Sequence, residues 1–170
     1  MLNDWARREL PNLAHEGIQL YCVTGLGKGA AEVLALKTAD RSAVTAVFMP
    51  FSDQVAALLS AADLVVARAG AGSIAEMIRC ETPSVVIPYP HAADDHQRAN
   101  ALWFGEHGGA VVIGQAQLQA DLGREVRSLL ADDARLAGIR ANLRRLDRAS
   151  PLSAILDDLE SFNSGAKTAT

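Results

Sequence analysis

The segment at residues 68–73, Arg-Ala-Gly-Ala-Gly-Ser, follows a short apolar run and precedes a helical pattern. Gly70 and Gly72 permit unusual backbone angles and a close approach by a ligand. The free N–H groups and the dipole at the start of a helix favour an anion such as a phosphate or diphosphate. Glycines also serve plain strand-to-helix turns, so this loop by itself supports both interpretations equally. It is neither a P-loop nor a complete dinucleotide-binding fingerprint, because no Gly-Lys-Ser/Thr follows and the third glycine is missing.

Glu76 lies three residues after Ser73 and allows two interpretations. The pair has the spacing of a capping box, which stabilises the first turn of a helix by about 1 kcal/mol. Alternatively, the Glu76 carboxylate accepts hydrogen bonds from a ribose diol beside a bound diphosphate. The spacing alone favours the cap.

A second polar segment, residues 88–100, ends in a helix whose first turns carry His96, Gln97 and Asn100. His96 and Asn100 are four residues apart and share one helix face, and Gln97 lies beside that face. Neutral donors and acceptors of this kind suit sugar hydroxyls. The rival interpretation is a metal site with four ligands: His91, Asp94, Asp95 and His96. Their spacing matches no established metal motif, and Asp94 and Asp95 more simply supply negative charge at a helix N-terminus, so the sugar interpretation is favoured.

Two further loops follow apolar runs. Phe51 could stack on a flat base, and the backbone near Ser52 could hydrogen-bond that base. A core Phe51, with Ser52 or Asp53 capping the next helix, is the alternative that the sequence alone favours. Gly25 begins a glycine-rich loop at residues 25–29.

The elements that must position these loops alternate along the chain. Apolar runs bounded by turn residues predict five parallel strands at 18–23, 44–49, 64–67, 84–88 and 110–113. Helices are predicted at 2–16, 30–38, 53–62, 73–80 and 95–107, and over 117–162 with breaks near Gly138 and Pro151. This alternation predicts an α/β, doubly wound fold, in which ligands bind beyond the carboxyl ends of the strands. Residues 1–162 are expected to form the domain, and residues 163–170 a disordered tail.

Composition excludes several classes of function. The 170 residues carry a formal charge of −4 without a long basic block, so nucleic acid is not an expected partner. No apolar stretch reaches the roughly 18 residues of a membrane span, and the first residues do not form a signal peptide. A cytoplasmic protein is therefore expected, with Cys22 and Cys80 as buried thiols.

Three runs together resemble one family closely: ADLVVARAGAGSIAEM, PSVVIPYPHAADDHQRANAL and GGAVVI. They look like the C-terminal domain of the MurG family of N-acetylglucosaminyltransferases. The pair of motifs RAGAxSxxE and DDHQxxNA is specific at this separation, whereas diacylglycerol glycosyltransferases share the first motif. The resemblance implies a GT-B architecture, of which this chain is the Rossmann-like C-terminal half. It also implies transfer of N-acetylglucosamine (GlcNAc) from UDP-GlcNAc to an undecaprenyl-diphosphate-linked muramoyl-pentapeptide, at the cytoplasmic face of the cell membrane.

The resemblance implies ten donor-binding positions. It also implies no metal and no cofactor, because helix N-termini would stabilise the leaving diphosphate. The diphosphate is implied at residues 71–73, the ribose at Glu76, the GlcNAc region at 96–100 and the uracil at 51–52. The positions are Gly25, Phe51, Ser52, Ala71, Gly72, Ser73, Glu76, His96, Gln97 and Asn100.

Departures from the family pattern qualify this expectation. The acceptor-binding N-terminal domain and the GGSxGA segment that opens the family's C-terminal domain are absent, and Leu2-Asn3 resembles the residues just after that segment. The sheet is therefore expected to lack its first, central strand, and the chain alone is expected to be inactive, with no catalytic residue identifiable in it. Alternative functions are another UDP-sugar glycolipid transferase and a non-catalytic nucleotide-sugar-binding fragment.

Overall fold

The computed structural model describes residues 1–92, 95–149 and 155–156. The chain divides into two compact units, Met1–Leu58 and Leu59–Thr170. In chain order the elements are α1 (Leu2–His15), β1 (Leu20–Val23), β2 (Glu32–Lys37), β3 (Ala43–Met49), α2 (Val55–Ala61), β4 (Val65–Ala67), α3 (Ala71–Arg79), β5 (Ser84–Val86), α4 (His96–Glu106), β6 (Ala110–Val112), α5 (Leu118–Leu130) and α6 (Asp133–Arg148).

The first unit is a three-stranded sheet with α1 packed against its strands. The strand order is β1-β3-β2, with β1 parallel to β3. Apolar side chains of α1 such as Trp5 and Leu13 are buried, and Phe48 of β3 is fully buried. The Arg7 guanidinium lies 4.1 Å from the centre of the Phe48 ring and donates a 2.9 Å hydrogen bond to Glu32. These interactions hold α1 across the sheet.

Strand β2 corrects the prediction of a helix at residues 30–38. The segment pairs antiparallel with β3, with Val33 opposite Val47. Its exposure alternates strictly, since Leu34 and Leu36 are half-buried and Val33 is exposed. Glu, Leu, Ala and Lys are good helix formers, but the pairing with β3 and the two-residue period of burial override that weak preference.

The second unit contains the parallel sheet β4-β5-β6. The central strand, β5, is buried along its whole length, as expected for a parallel strand covered on both faces. Helix α4 packs on β6, α3 packs against α4 and α6, and α5 packs against α6. The α/β class with parallel strands is confirmed, and the loops after β4 and β5 lie at one edge of this sheet.

Strands β1 and β4 are edge strands of their own sheets within the described residues. Strand β1 pairs with β3, and β4 pairs with β5, each on one side only within the described residues. The expected loss of a first, central strand stays a prediction.

The C-terminal helices and the cysteines differ from expectation in detail. The helical pattern breaks at 131–132, where the Asp132 carboxylate accepts a 2.9 Å hydrogen bond from the Arg135 amide, and Gly138 lies inside α6. An N-cap at Asp132 starts a new helix more effectively than one glycine stops an existing one. Pro151 and residues 163–170 lie outside the described residues. Cys22 and Cys80 are not in disulfides, and both are half-buried rather than buried.

Candidate functional site

The loop after β4 leads directly into α3. Gly70 is the N-cap residue, with extended backbone angles (φ −69°, ψ 141°) and no side-chain hydrogen bond at the cap. Residues 71–73 form the exposed first turn, and the first backbone bond of the helix runs from the Ile74 amide to the Gly70 carbonyl at 3.0 Å. The N–H groups before Ile74 have no acceptor within the helix. The start of α3 is therefore suited to an anion.

The backbone conformations of the two glycines in this loop differ from the sequence prediction. Neither Gly70 nor Gly72 has a positive φ, so unusual backbone angles do not explain them. A Cβ at Gly72 would have no heavy atom within 4 Å among its non-neighbours. The exposed turn at Gly72 therefore offers open space for a ligand to approach the backbone.

The capping-box interpretation of Ser73 and Glu76 is wrong. Because α3 begins at Ala71, Ser73 is the third residue of the helix and Glu76 lies in its second turn. Glu76 is exposed, and its carboxylate has no hydrogen bond or ion pair with any described residue. The carboxylate is thus open to a ligand one turn beyond the start of the helix.

The amides of Gln97 and Asn100 link the first turns of α4 to two loops. The Gln97 Oε1 atom accepts a 2.9 Å hydrogen bond from the Tyr89 backbone amide. The Asn100 Nδ2 atom donates a 3.2 Å hydrogen bond to the Ala69 carbonyl. A backbone N–H can only donate and a carbonyl can only accept, so these partners fix which way each amide points. Gln97 is left with its NH₂ group, and Asn100 with its carbonyl oxygen, for other partners.

Helix α4 begins at His96, which is exposed. Its N-cap residue, Asp95, has left-handed backbone angles (φ 53°, ψ 21°), and its carboxylate lies 3.4 Å from the Arg98 guanidinium. A groove of about 270 Å³ runs between α3 and α4 and is lined by both Ala71 and Asn100. The structure therefore brings Ala71 and Asn100 to one groove, whose other lining residues are apolar side chains of α3 and α4.

Arg68 is a residue of this region whose contacts the sequence analysis missed. Its Nη1 atom lies 2.6 Å from Gln115 Oε1, 3.2 Å from the Ile87 carbonyl and 3.4 Å from the Pro88 carbonyl. Its guanidinium lies 5.4 Å from the centre of the Tyr89 ring. Burial lowers the pKa of Arg68. An arginine directly after an apolar strand is a signal that could have drawn attention to it.

The remaining predicted positions lie in the first unit. Gly25 has a φ of +95° and begins the loop after β1, where the Thr24 carbonyl accepts a 2.8 Å hydrogen bond from the Asn3 side chain. Phe51 is 61% exposed, so the expectation of a core phenylalanine is wrong. The Ser52 hydroxyl accepts a 3.1 Å hydrogen bond from the Gln54 amide just before α2, as the capping alternative predicted. Phe51 thus offers a free aromatic face beside Ser52.

The described part of the chain contains neither a candidate metal site nor a membrane-spanning helix. No group of three or more His, Cys, Asp and Glu side chains there could hold a metal ion, and Asp94 lies outside that part. In the same residues, none of the helices has the length and apolar character needed to cross a bilayer.

Comparison with known proteins places these features in a family. The glycosyltransferase family 28 C-terminal domain matches residues 1–149. The UDP-N-acetylglucosamine–N-acetylmuramyl-(pentapeptide) pyrophosphoryl-undecaprenol N-acetylglucosamine transferase of Opitutus terrae is 52% identical over 160 residues, which are 94% of this chain and 42% of that protein. The enzyme of the same name from Geobacter metallireducens is 40% identical over 121 residues, 71% of this chain and 33% of that protein. The chain thus spans less than half the length of these relatives.

Two solved structures resemble the fold. The MurG of Acinetobacter baumannii matches with a TM-score of 0.55 and 30% identity, over 63% of this chain and 32% of that one. A glycotransferase of kitacinnamycin matches with a TM-score of 0.61 and 28% identity, over 85% of this chain and 36% of that one. Both likenesses cover about a third of the larger protein.

Proposed function

This chain belongs to the glycosyltransferase family 28 C-terminal domains, and on that premise we propose that it is the donor-binding part of a GlcNAc transferase. The donor is UDP-GlcNAc, and the acceptor is an undecaprenyl-diphosphate-linked muramoyl-pentapeptide at the cytoplasmic face of the cell membrane. The 52% identity to the Opitutus terrae enzyme over 94% of the chain supports this reaction. Because the chain spans 42% of that relative, acceptor binding and the catalytic base are assigned to a part of the enzyme outside these residues.

The observation that carries the proposal is the Glu76 carboxylate, exposed and without a partner among the described residues, one turn beyond the open start of α3. We assign the donor diphosphate to the backbone N–H groups of Ala71, Gly72 and Ser73, where the helix dipole favours negative charge. Glu76 then accepts hydrogen bonds from the ribose diol. Ionised acceptors form stronger hydrogen bonds than neutral ones, so this contact contributes substantially to affinity.

The sugar is assigned to the start of α4. Gln97 presents an NH₂ donor and Asn100 presents a carbonyl acceptor, because their other amide atoms bond to Tyr89 and Ala69. One donor and one acceptor side by side suit hydroxyl groups of defined orientation, since each hydroxyl both donates and accepts. His96 supplies a further polar contact from the same turn. This fixed polarity supports a specific sugar rather than any sugar.

The uracil is assigned to Phe51 and Ser52, with Gly25 in the neighbouring loop of the first unit. An exposed aromatic ring can stack on a base, and such stacking contributes about 1–3 kcal/mol. In the chemical step, the start of α3 stabilises the negative charge that develops on the leaving UDP diphosphate, so the proposal requires no metal. The 170-residue chain alone is expected to turn over nothing, because the acceptor site is assigned to residues outside it.

A second candidate has one observation in its favour. The kitacinnamycin glycotransferase, which matches 85% of the chain, shows that this fold also serves a glycosyltransferase of a different name. The chain would then bind a UDP-sugar other than UDP-GlcNAc. The two candidates share the diphosphate and ribose contacts and differ at the sugar.

Titration calorimetry of the 170-residue chain with UDP-GlcNAc, UDP-glucose and UDP separates these candidates. We expect UDP-GlcNAc to bind about tenfold more tightly than UDP-glucose, because discrimination at a hydrogen-bonding site is of the order of 1.4 kcal/mol. Equal affinity for all three ligands would remove the case for GlcNAc. Transfer of GlcNAc to the lipid acceptor by this chain alone would contradict its assignment as the donor-binding part.

A further inference from the structure

Arg68 connects the segments that follow all three strands of the second unit. It comes directly after β4, and its Nη1 atom donates to the carbonyls of Ile87 and Pro88, which follow β5. The same atom lies 2.6 Å from Oε1 of Gln115, which follows β6. One guanidinium thus holds three loops that are 19 to 47 residues apart in the chain.

These contacts continue into the residues assigned to the sugar. Pro88 is followed by Tyr89, whose ring lies beside the Arg68 guanidinium and whose amide donates to Gln97. Ala69 follows Arg68, and its carbonyl accepts from Asn100. Hydrogen bonds therefore link the 68–70 loop, the loop after β5 and the first two turns of α4 in a closed ring.

The chemistry of Arg68 fits a role in positioning loops better than an ion pair. Its described acceptors are two backbone carbonyls and one amide oxygen, and no described carboxylate pairs with it. All three contacts come from the Nη1 atom at the far end of the side chain, and a lysine side chain is one atom shorter. A shorter ammonium side chain would therefore release the loop after β5 even if the positive charge stayed.

We infer that Arg68 and Gln115 are positioning residues for the donor sugar: they hold the loop after β5, and through Tyr89 they hold Gln97 in register with Asn100. This inference rests on the proposed function, because it names the sugar as the part of the donor that is affected. The pair acts through Gln97 and touches no reacting atom, so neither residue is catalytic.

The test compares single variants of the 170-residue chain, and the Arg68→Lys/Gln115→Leu double variant, with the wild type. Arg68→Lys keeps the charge on a side chain that is one atom shorter, Gln115→Leu removes the acceptor, and Gln115→Glu keeps an acceptor. Gln19→Leu, at an exposed position before β1, is the matched control. Calorimetry gives the affinities for UDP-GlcNAc and UDP, thermal melts report folding, and hydrogen exchange of the Tyr89 amide reports the loop in the ligand-free chain.

Arg68→Lys and Gln115→Leu are each expected to weaken UDP-GlcNAc binding roughly tenfold, as for loss of a hydrogen bond to a charged group, and UDP binding by less than about threefold. The double variant should be no weaker than either single one, because both break one network. Gln115→Glu should bind like the wild type. Exchange of the Tyr89 amide should be at least about tenfold faster in Gln115→Leu, since its hydrogen bond to Gln97 is no longer held.

Other results would overturn the inference. An equal loss of UDP and UDP-GlcNAc affinity in Arg68→Lys, with Gln115→Leu unchanged, would mean that Arg68 contacts the diphosphate. An equal loss for both ligands with a lowered melting temperature would mean a general structural role. If the wild type binds UDP-GlcNAc but the Tyr89 amide exchanges at the same rate in Gln115→Leu as in the wild type, the inference is refuted. A wild-type chain that binds no UDP-sugar would refute the proposed function itself, and the assignment to the sugar with it.

Discussion

Replacing Glu76 with Gln is expected to weaken binding of UDP to this chain by about tenfold or more while leaving the melting temperature unchanged. The carboxylate is exposed and has no described partner, so the folded chain loses no contact when its charge is removed. If the carboxylate accepts hydrogen bonds from the ribose diol, loss of the charge costs about 1–3 kcal/mol of binding free energy. Calorimetric titration with UDP, together with a thermal melt, measures both quantities.

The matched control is Glu106→Gln, which neutralises another exposed glutamate at the end of α4. It removes the same charge from the same unit, so a change caused only by net charge would appear in both variants. UDP affinity should stay at the wild-type value in this control. If Glu76→Gln and Glu106→Gln bind UDP equally well, Glu76 does not bind the ribose.

The second prediction contrasts two phenylalanines. Phe104→Ala is expected to destabilise the second unit by about 3–5 kcal/mol, because the Phe104 side chain is fully buried and its removal leaves a cavity. Its ring fills the space beside Gly109, whose amide donates a 3.0 Å hydrogen bond to the Phe104 carbonyl. The side chains around Phe104 are tightly packed, so they cannot move far enough to fill the cavity that its removal leaves. Urea denaturation of the variant and the wild type measures the difference.

Phe51→Ala serves as the matched control for this loss of stability. Phe51 is 61% exposed, so its removal should change the free energy of unfolding by less than about 0.5 kcal/mol. It should instead weaken UDP binding, by about 1–3 kcal/mol if the ring stacks on uracil. If Phe104→Ala has the wild-type free energy of unfolding, or if Phe51→Ala is clearly less stable than the wild type, the burial assigned to these two side chains is wrong.

Local patterns predicted five strands because each is a short apolar run between turn residues. Strand β2 was missed because Glu32–Lys37 consists largely of good helix formers, and only its pairing with β3 determines its conformation. The start of α3 was placed two residues late, and that error made Ser73 look like an N-cap. Local sequence preference therefore predicts where an element lies better than it predicts whether that element is a helix or a strand, or at which residue it begins.

The contacts that organise the candidate site lie beyond local patterns. Motif spacing pointed to Gln97 and Asn100, but not to the partners, Tyr89 and Ala69, that fix the direction of each amide. Arg68 and Gln115 are 47 residues apart, so their contact depends on the order of strands in the sheet. No helical or strand period relates two such positions. Single-sequence reasoning finds residue types that suit a ligand, and the fold decides which of them are already engaged.

The most direct test of the donor site is a titration of the ¹⁵N-labelled chain with UDP-GlcNAc, followed by backbone and side-chain amide NMR shifts. The predicted result is that the largest changes fall on the amides of residues 70–73, on Glu76, and on the side-chain amides of Gln97 and Asn100. UDP should reproduce the changes at 70–73 and Glu76 but not those at Gln97 and Asn100. Shift changes confined to α5 and α6, or none at millimolar UDP-GlcNAc, would contradict the assignment of this chain as the donor-binding part.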